Sequence, residues 1–241
     1  GGLLVISVNE DPLLTSILTK LIGYWPMEHA GTDVTWLDAG PNALHLTRVG
    51  TTTGAAGKHG LAYYGGAGAL EYTADTALTF EGGASFELCA WVQMDNTGQN
   101  KGIMSRYDVT TNRREYSLLV ESGNAVFALS RDRTAANTVV VTGGSVGEGS
   151  FRMLNGWRDV DNDLIGVQVD NGTATTAAYS SADPVFTDTN NRFLVGVLEG
   201  SIYGNDGRID EMAVFSPMLT ADERAWLYNA GAGRTTSDFG L

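Results

Sequence analysis

The sequence holds a single cysteine, Cys89, in 241 residues, so no disulfide can form within the chain. Basic residues are scarce as well: 15 lysines and arginines stand against 28 aspartates and glutamates, a formal net charge of −13. That balance argues against nucleic acid or an anionic membrane as a partner, because either would need a basic patch. Long apolar runs are missing, so no membrane insertion is expected. The run Leu3–Val8 has no cationic flank and is too short for a signal peptide or a bilayer span. Only 3 histidines are present, His29, His45 and His59, all in the loop-rich first quarter. No serine sits in a nucleophile-elbow pattern, so a nucleophilic triad is not expected. The chain begins Gly-Gly, as expected of a processed or trimmed chain.

What the sequence does hold is glycine, 31 residues of it, together with many threonines. That composition favours short strands and tight turns over helices. A hydrophobic fraction of 43% is ordinary for a folded core, and the length suits one all-β sandwich. About twelve to fourteen strands can be read from alternation and turn signals, with no internal repeat and no linker that divides two domains. Ser85–Met94 is the clearest. Phe86, Leu88, Ala90, Val92 and Met94 share one face and should point between the sheets, while Glu87, Cys89, Trp91 and Gln93 line an outer face, which in this fold can be the concave one. Cys89 is then a small buried hydrophobe. Thr51–Gly60 reads as a loop of small residues, Asn171-Gly172 as a two-residue hairpin turn, and Arg192–Val197 as a strand beside the closing one.

Both ends carry helix signals. Asp11 is a fit N-cap, with Pro12 in the first helical position, and Leu13, Leu14, Ile17, Leu18 and Leu21 follow at helical spacing. This helix either covers part of the sandwich or, with the extended arm Gly1–Asn9, docks on a neighbouring subunit. Near the other end, Asn205–Gly231 reads as turn, strand, turn, helix. Arg208–Phe215 alternates, with Ile209, Ala213 and Phe215 on one face and Asp210, Met212 and Val214 on the other. Apolar residues on both faces imply an interior strand. Ser216-Pro217 stops it. Thr220 and Glu223 form a capping box, and Gly231 fits the left-handed position just past the helix. Such a helix is expected to lie as a lid over the sheet.

Several of these motifs together resemble a known family. GRIDEMAVFSPMLTADERAWLYNAG, from Gly207 to Gly231, is similar to the C-terminal signature of laminin-G-like, concanavalin A-like jelly-roll domains. IGYWPME (Ile22–Glu28), GKHGLAYY (Gly57–Tyr64), FELCAWV (Phe86–Val92) and VQVDNG (Val167–Gly172) resemble further motifs of the family in order. The resemblance covers roughly residues 21–234. It implies an all-β, two-sheet antiparallel sandwich of the jelly-roll kind, with an N-terminal arm and helix over 1–20 and a C-terminal tail over 235–241. It also implies a non-catalytic structural or adhesion module, of the sort found on bacterial surfaces and in phage virions as capsid-decoration or tail-associated proteins. Its partners would be other subunits of a larger assembly and surface glycans, and its location the virion surface or the outside of a cell. The alternative is a carbohydrate-binding module of a secreted polysaccharide-active protein.

The residues bear on three kinds of site: catalytic, metal and glycan. A retaining glycosidase of this fold needs two carboxylates flanking the scissile bond, about 5–5.5 Å apart. The family's catalytic form, Glu-x-Asp-x-x-Glu on one strand, is absent. Asp206, Asp210 and Glu211 come nearest, but the two adjacent acids fall on opposite faces, so no enzyme activity is expected. For metal, Asp159-x-Asp161-x-Asp163 lacks the glycine and the glutamate of an EF-hand loop and reads as a solvated turn. The resemblance implies instead a structural Ca²⁺ at Asp210 and, less directly, Glu28. Glycan sites pair aromatic faces with a few orienting polar groups. On that basis Trp91, Arg106, Tyr107, Arg114 and Trp157 are the candidate ligand-binding residues, although Trp91 and Trp157 equally suit a sandwich core.

Overall fold

The computed structural model describes residues 11–30, 33–66, 68–73, 76–80, 83–183, 188, 191–198, 204 and 206–241. Helix α1 (Pro12–Lys20) comes first, and the Asp11 carboxylate accepts the Leu13 N–H at 3.0 Å as its cap. The arm before it lies outside the described residues. Strands β1 (Leu21–Trp25), β2 (Thr35–Trp36), β3 (Leu46–Val49), β4 (Thr53–Ala56), β5 (Leu61–Tyr64) and β6 (Ala69–Tyr72) follow. The middle of the chain forms β7 (Phe86–Gln93), β8 (Lys101–Asp108), β9 (Arg113–Glu121), β10 (Asn124–Arg133) and β11 (Thr138–Ser145). Then come β12 (Arg152–Asp159), β13 (Leu164–Val169), β14 (Thr175–Ala178), β15 (Phe193–Val195) and β16 (Arg208–Phe215), and finally α2 (Ala221–Tyr228) and α3 (Thr236–Phe239).

These strands form two antiparallel sheets of eight. The first runs β14-β13-β12-β7-β16-β5-β4, with β1 also paired to β16; the second runs β11-β10-β9-β8-β15-β6-β3-β2. The all-β, two-sheet sandwich expected from the sequence is the architecture observed. Phe86, Leu88, Ala90, Val92 and Met94 all point between the sheets, as their alternation predicts. Phe86 stacks on Phe80 with centroids 4.1 Å apart, and Trp25 spends its indole N–H on the Leu44 carbonyl at 2.7 Å. Each fully buried large apolar side chain of this kind contributes about 1.5–3 kcal/mol. Gly156 is obligatory for the interleaving, since a Cβ there would lie 2.6 Å from the Phe127 ring.

Four local readings need correction. β16 is an interior strand, held by β7 on one side and by β1 and β5 on the other, but it does not alternate simply. Its register slips between Asp210 and Ala213 and Glu211 takes φ 46°, so one extra residue bulges out. Ile209, Met212 and Val214 therefore share the interior face, while Ala213 and Phe215 point outward. β15 lies not beside β16 but in the other sheet, between β6 and β8. Residues 53–56, expected in a loop, form edge strand β4; its Thr-Gly-Ala-Ala carries too little bulk to signal a strand. The left-handed position that ends α2 is taken first by Asn229 at φ 48°, with Gly231 at φ 89° two residues on.

The outer faces of the two sheets differ, and this decides where a ligand can go. The face of the first sheet carrying Cys89, Trp91, Met153, Ala213 and Phe215 is sealed by Ile17 of α1, Leu227 of α2 and Phe239 of α3. The capping box forms as predicted: the Thr220 N–H reaches Glu223 Oε2 at 2.6 Å, and the Glu223 N–H reaches Thr220 Oγ1 at 3.3 Å. Glu223 also takes Lys20 Nζ at 2.6 Å and the Ser16 hydroxyl at 2.6 Å, and the Trp226 indole donates to Asp11 at 2.7 Å. Helix α1 thus docks on its own chain's α2. The short C-terminal segment is also packed down, Phe239 lying 4.9 Å from the Tyr24 ring.

Candidate functional site

Among the described residues no such cap lies over the middle of the second sheet. On β9 the residues Tyr116, Leu118 and Val120 fill the core, so Ser117, Leu119 and Glu121 face outward; on β10, Val126 and Ala128 do the same. With Tyr107 of β8, Val140 of β11 and Leu198 beyond β15, they line a groove of about 240 Å³. Leu119, Val126 and Leu198 form its apolar floor, and Tyr107 and Val109 pack against that cluster. Val140 stands on the wall, 51% exposed. The Ser117 hydroxyl in the floor is buried and has no hydrogen-bond partner among the described residues. Burial raises the Glu121 carboxyl above the ordinary range.

Two of the five sequence candidates meet here. Tyr107 and Arg114 are cross-strand partners on β8 and β9, and the guanidinium sits 5.7 Å from the Tyr107 ring centroid. Backbone and amide acceptors steady Arg114: the Asn112 side chain, the Arg133 carbonyl at 3.3 Å and the Val109 carbonyl at 3.4 Å. None is a carboxylate. An aromatic face, a held cation, a buried hydroxyl and an aliphatic floor can together bind an amphipathic ligand. The groove does not present two facing acids, since Glu121 is the one carboxyl lining it among the described residues.

The other three candidates are placed elsewhere, and the reading of them as ligand contacts is corrected. Trp91 is 3% exposed on the sealed face of the first sheet, stacked at 5.8 Å on Tyr228 with Lys58 Nζ 4.5 Å from its ring. The outer face it was expected to line is therefore covered rather than concave. Trp157 lies under Arg224, whose guanidinium is 3.9 Å from the ring and forks onto Glu87 at 2.8 and 2.9 Å. Arg106 is fully buried, with Nε 2.9 Å from Glu115 Oε2 and Nη2 2.9 Å from the Asp188 carbonyl. Glu115 accepts further bonds from the Asp188 N–H and the Asn191 amide, both at 3.1 Å. These side chains hold the fold.

The groove floor itself was missed. A signal for it existed: in Tyr116–Val120 and Ala125–Leu129 apolar residues occupy both faces, where an open outer face would alternate with polar ones. Leu198 and Val140 have no such signature, because tertiary packing alone brings them to the groove.

The proposed calcium ligands form a different cluster at β16. Asp210 accepts the His59 N–H at 3.0 Å on Oδ2 and the Glu211 N–H at 2.9 Å on Oδ1; Glu28 accepts the Leu61 N–H at 2.9 Å. Gly60, at φ +44°, lets the loop close onto the Glu28 carboxylate. These acids cap a turn with their oxygens, and no group of three or more metal-ligating side chains occurs among the described residues. Asp210 and Glu28 each spend oxygens on backbone donors, and no step is derived through the calcium that the family resemblance implies.

Beside them Tyr24 donates its hydroxyl proton to Glu211. Burial pushes Glu211 up to about 8, against that hydrogen bond and with repulsion from Asp210 and Glu28 added. Burial also pushes Asp210 up to about 7, against its backbone N–H partners. An acid raised in the folded state holds its proton where the unfolded chain, near pH 4, has lost it. The stability it contributes is full below pH 4 and is lost as pH rises toward 8. Melting temperature is thus expected to fall between pH 5 and pH 8.5. Glu211→Gln, which keeps an acceptor for Tyr24, should flatten that fall in calorimetry; an unchanged slope would place the titration elsewhere.

Comparison with known proteins agrees with this architecture. The model of the concanavalin A-like lectin/glucanases superfamily (the laminin-G type) matches residues 65–223, well over half of the chain. The chain belongs to the concanavalin A-like lectin/glucanase superfamily. No curated protein sequence matches this lectin-fold chain. Among solved structures it is similar to the binding domain of the Paraclostridial mosquitocidal protein 1, with TM-score 0.70 and 12% identity over 89% of this chain and 53% of that one. A botulinum neurotoxin type C structure, whose description ties cell entry to two ganglioside molecules, matches with TM-score 0.69 and 10% identity over 90% and 52%. The botulinum neurotoxin serotype D ligand-binding domain, in complex with N-acetylneuraminic acid, matches with TM-score 0.66 and 9% identity over 90% and 52%. This lectin-fold chain spans about half the length of those structures, and at such identities the likeness is one of fold.

Proposed function

We propose that this chain is a non-catalytic binding module which holds a surface glycan in the groove on the outer face of its second sheet, as part of a secreted or surface-exposed protein. The observation that carries this reading is the meeting of Tyr107 and Arg114 over an apolar floor, on a broad sheet face that no helix among the described residues covers. The sealed first sheet and the single groove carboxyl support binding over hydrolysis. The toxin structures of like fold are described as binding gangliosides, sialic acid or, for a botulinum neurotoxin binding domain, synaptotagmin, which supports a recognition role.

A second role, as a virion component attached to a larger assembly through its N-terminal arm, has less support. Helix α1 and its cap, which follow that arm, are engaged with their own chain through Lys20, Ser16 and Asp11. The test is a glycan array probed with the native chain and with Val140→Trp, which fills the groove from an exposed wall. The native chain should bind at least one glycan class, and the variant should lose that binding at least tenfold with its melting temperature unchanged. A blank array, or binding indifferent to the substitution, would overturn the proposal.

A further inference from the structure

Resting on the groove reading above, we infer that the groove selects saccharides bearing a carboxylate, which Arg114 grips side-on while Tyr107 covers the sugar ring and Ser117 meets a ring hydroxyl. In a chain with 28 acidic and 15 basic residues a guanidinium without an acid beside it is conspicuous. Lys101 pairs with Asp206, Arg208 with Asp95 and Arg152 with Asp170, all within 3.0 Å. Arg114, half-buried at the groove, pairs with no carboxylate among the described residues.

The geometry of its neighbours shows which edge is free. Arg106 and Arg224 each bind a carboxylate through Nε and Nη2, the fork that matches two carboxylate oxygens. Among the described residues the fixed partners of Arg114 sit on Nη1, while Nη2 makes one long contact of 3.4 Å and Nε makes none. The anchored half orients the guanidinium, and the Nε edge is left to an incoming acid. Ser117 supplies a second, independent pointer: its hydroxyl is buried in the floor without a partner, a cost that a ligand hydroxyl would relieve.

The occupant follows from charge and shape together. A net charge of −13 repels a polyanion, so a ligand with one acid per recognised unit is favoured over a densely charged chain. The aromatic face and the floor hydroxyl suit a sugar better than an acidic peptide, whose backbone would seek an open strand edge rather than a sheet face.

Isothermal titration would compare 3′-sialyllactose and digalacturonate with lactose and the methyl ester of digalacturonate, using the native chain, Arg114→Ala, Arg114→Lys and Val140→Trp. The inference expects at least one acidic sugar to bind tenfold or more tighter than its neutral counterpart. Arg114→Ala should erase that preference, bringing each acidic sugar to the affinity of its neutral counterpart. Arg114→Lys should recover only a minor part, because a point charge cannot replace a fork. If neutral and acidic sugars bind equally and Val140→Trp still blocks both, the groove reading stands and the acid selectivity is overturned. If no sugar binds while a tetraglutamate peptide does, both are overturned.

Discussion

Replacing Arg224 with alanine should cost the fold about 3–5 kcal/mol, because it strands the fully buried Glu87 carboxylate without its partner. For a chain of this size that is a fall of roughly 10 °C in melting temperature. Burial raises the Glu87 carboxyl even with Arg224 in place, so without the guanidinium it would be forced to take up a proton or let water in. The loss has a second part, since Arg224 also covers the Trp157 ring at 3.9 Å. Glu87 accepts the Leu219 N–H at 3.0 Å just before α2, so the pair ties the helical lid to β7. The double variant Glu87→Gln with Arg224→Met should regain more than half of the loss. Chemical denaturation reads both numbers; a single variant as stable as the native chain would show the pair to be idle.

Arg106→Ala is expected to be about as costly, again near 3–5 kcal/mol, with no specific effect on ligand selectivity. Arg106 and Glu115 are both fully buried on the groove's sheet, and Glu115 gathers the Arg106 fork, the Asp188 N–H and the Asn191 amide. Arg114→Ala, by contrast, removes a half-exposed side chain without an ion pair and should change stability by no more than about 0.5 kcal/mol. The two arginines lie eight positions apart on paired strands, and both stood out in the sequence for the same reason. Denaturation and binding measured on both variants separate them: stability follows position 106 and binding follows position 114. The reverse pattern would misplace the site.

That contrast shows where the sequence was legible. Period-two alternation in Phe86–Met94 identified the sandwich, and the Thr220–Glu223 box identified the lid, because both are local patterns read by short-range physics. The bulge at Glu211 was not legible, since one extra residue in β16 is set by its pairing with β7. Nor was the fate of Trp91 and Trp157. An outward-facing tryptophan on a strand reads the same whether a helix covers it or a ligand does, and only the docking of α1, α2 and α3 decides. Tyr107 and Arg114 were found as types suited to a sugar, whereas the floor beneath them, Leu119, Val126 and Leu198, is assembled from distant parts of the sequence. Glu28 and Asp210 both accept backbone donors of the turn over residues 59–61, a placement that only the folded loop reveals.

The most direct check on the groove is a nuclear magnetic resonance titration of the isotope-labelled chain with 3′-sialyllactose. The account expects shifts concentrated at Tyr107, Arg114, Ser117, Leu119, Val126 and Val140 on the outer face of the second sheet. Shifts centred instead on Lys58, Trp91 and the helical cap, or a spectrum that stays unchanged at millimolar sugar, would contradict it.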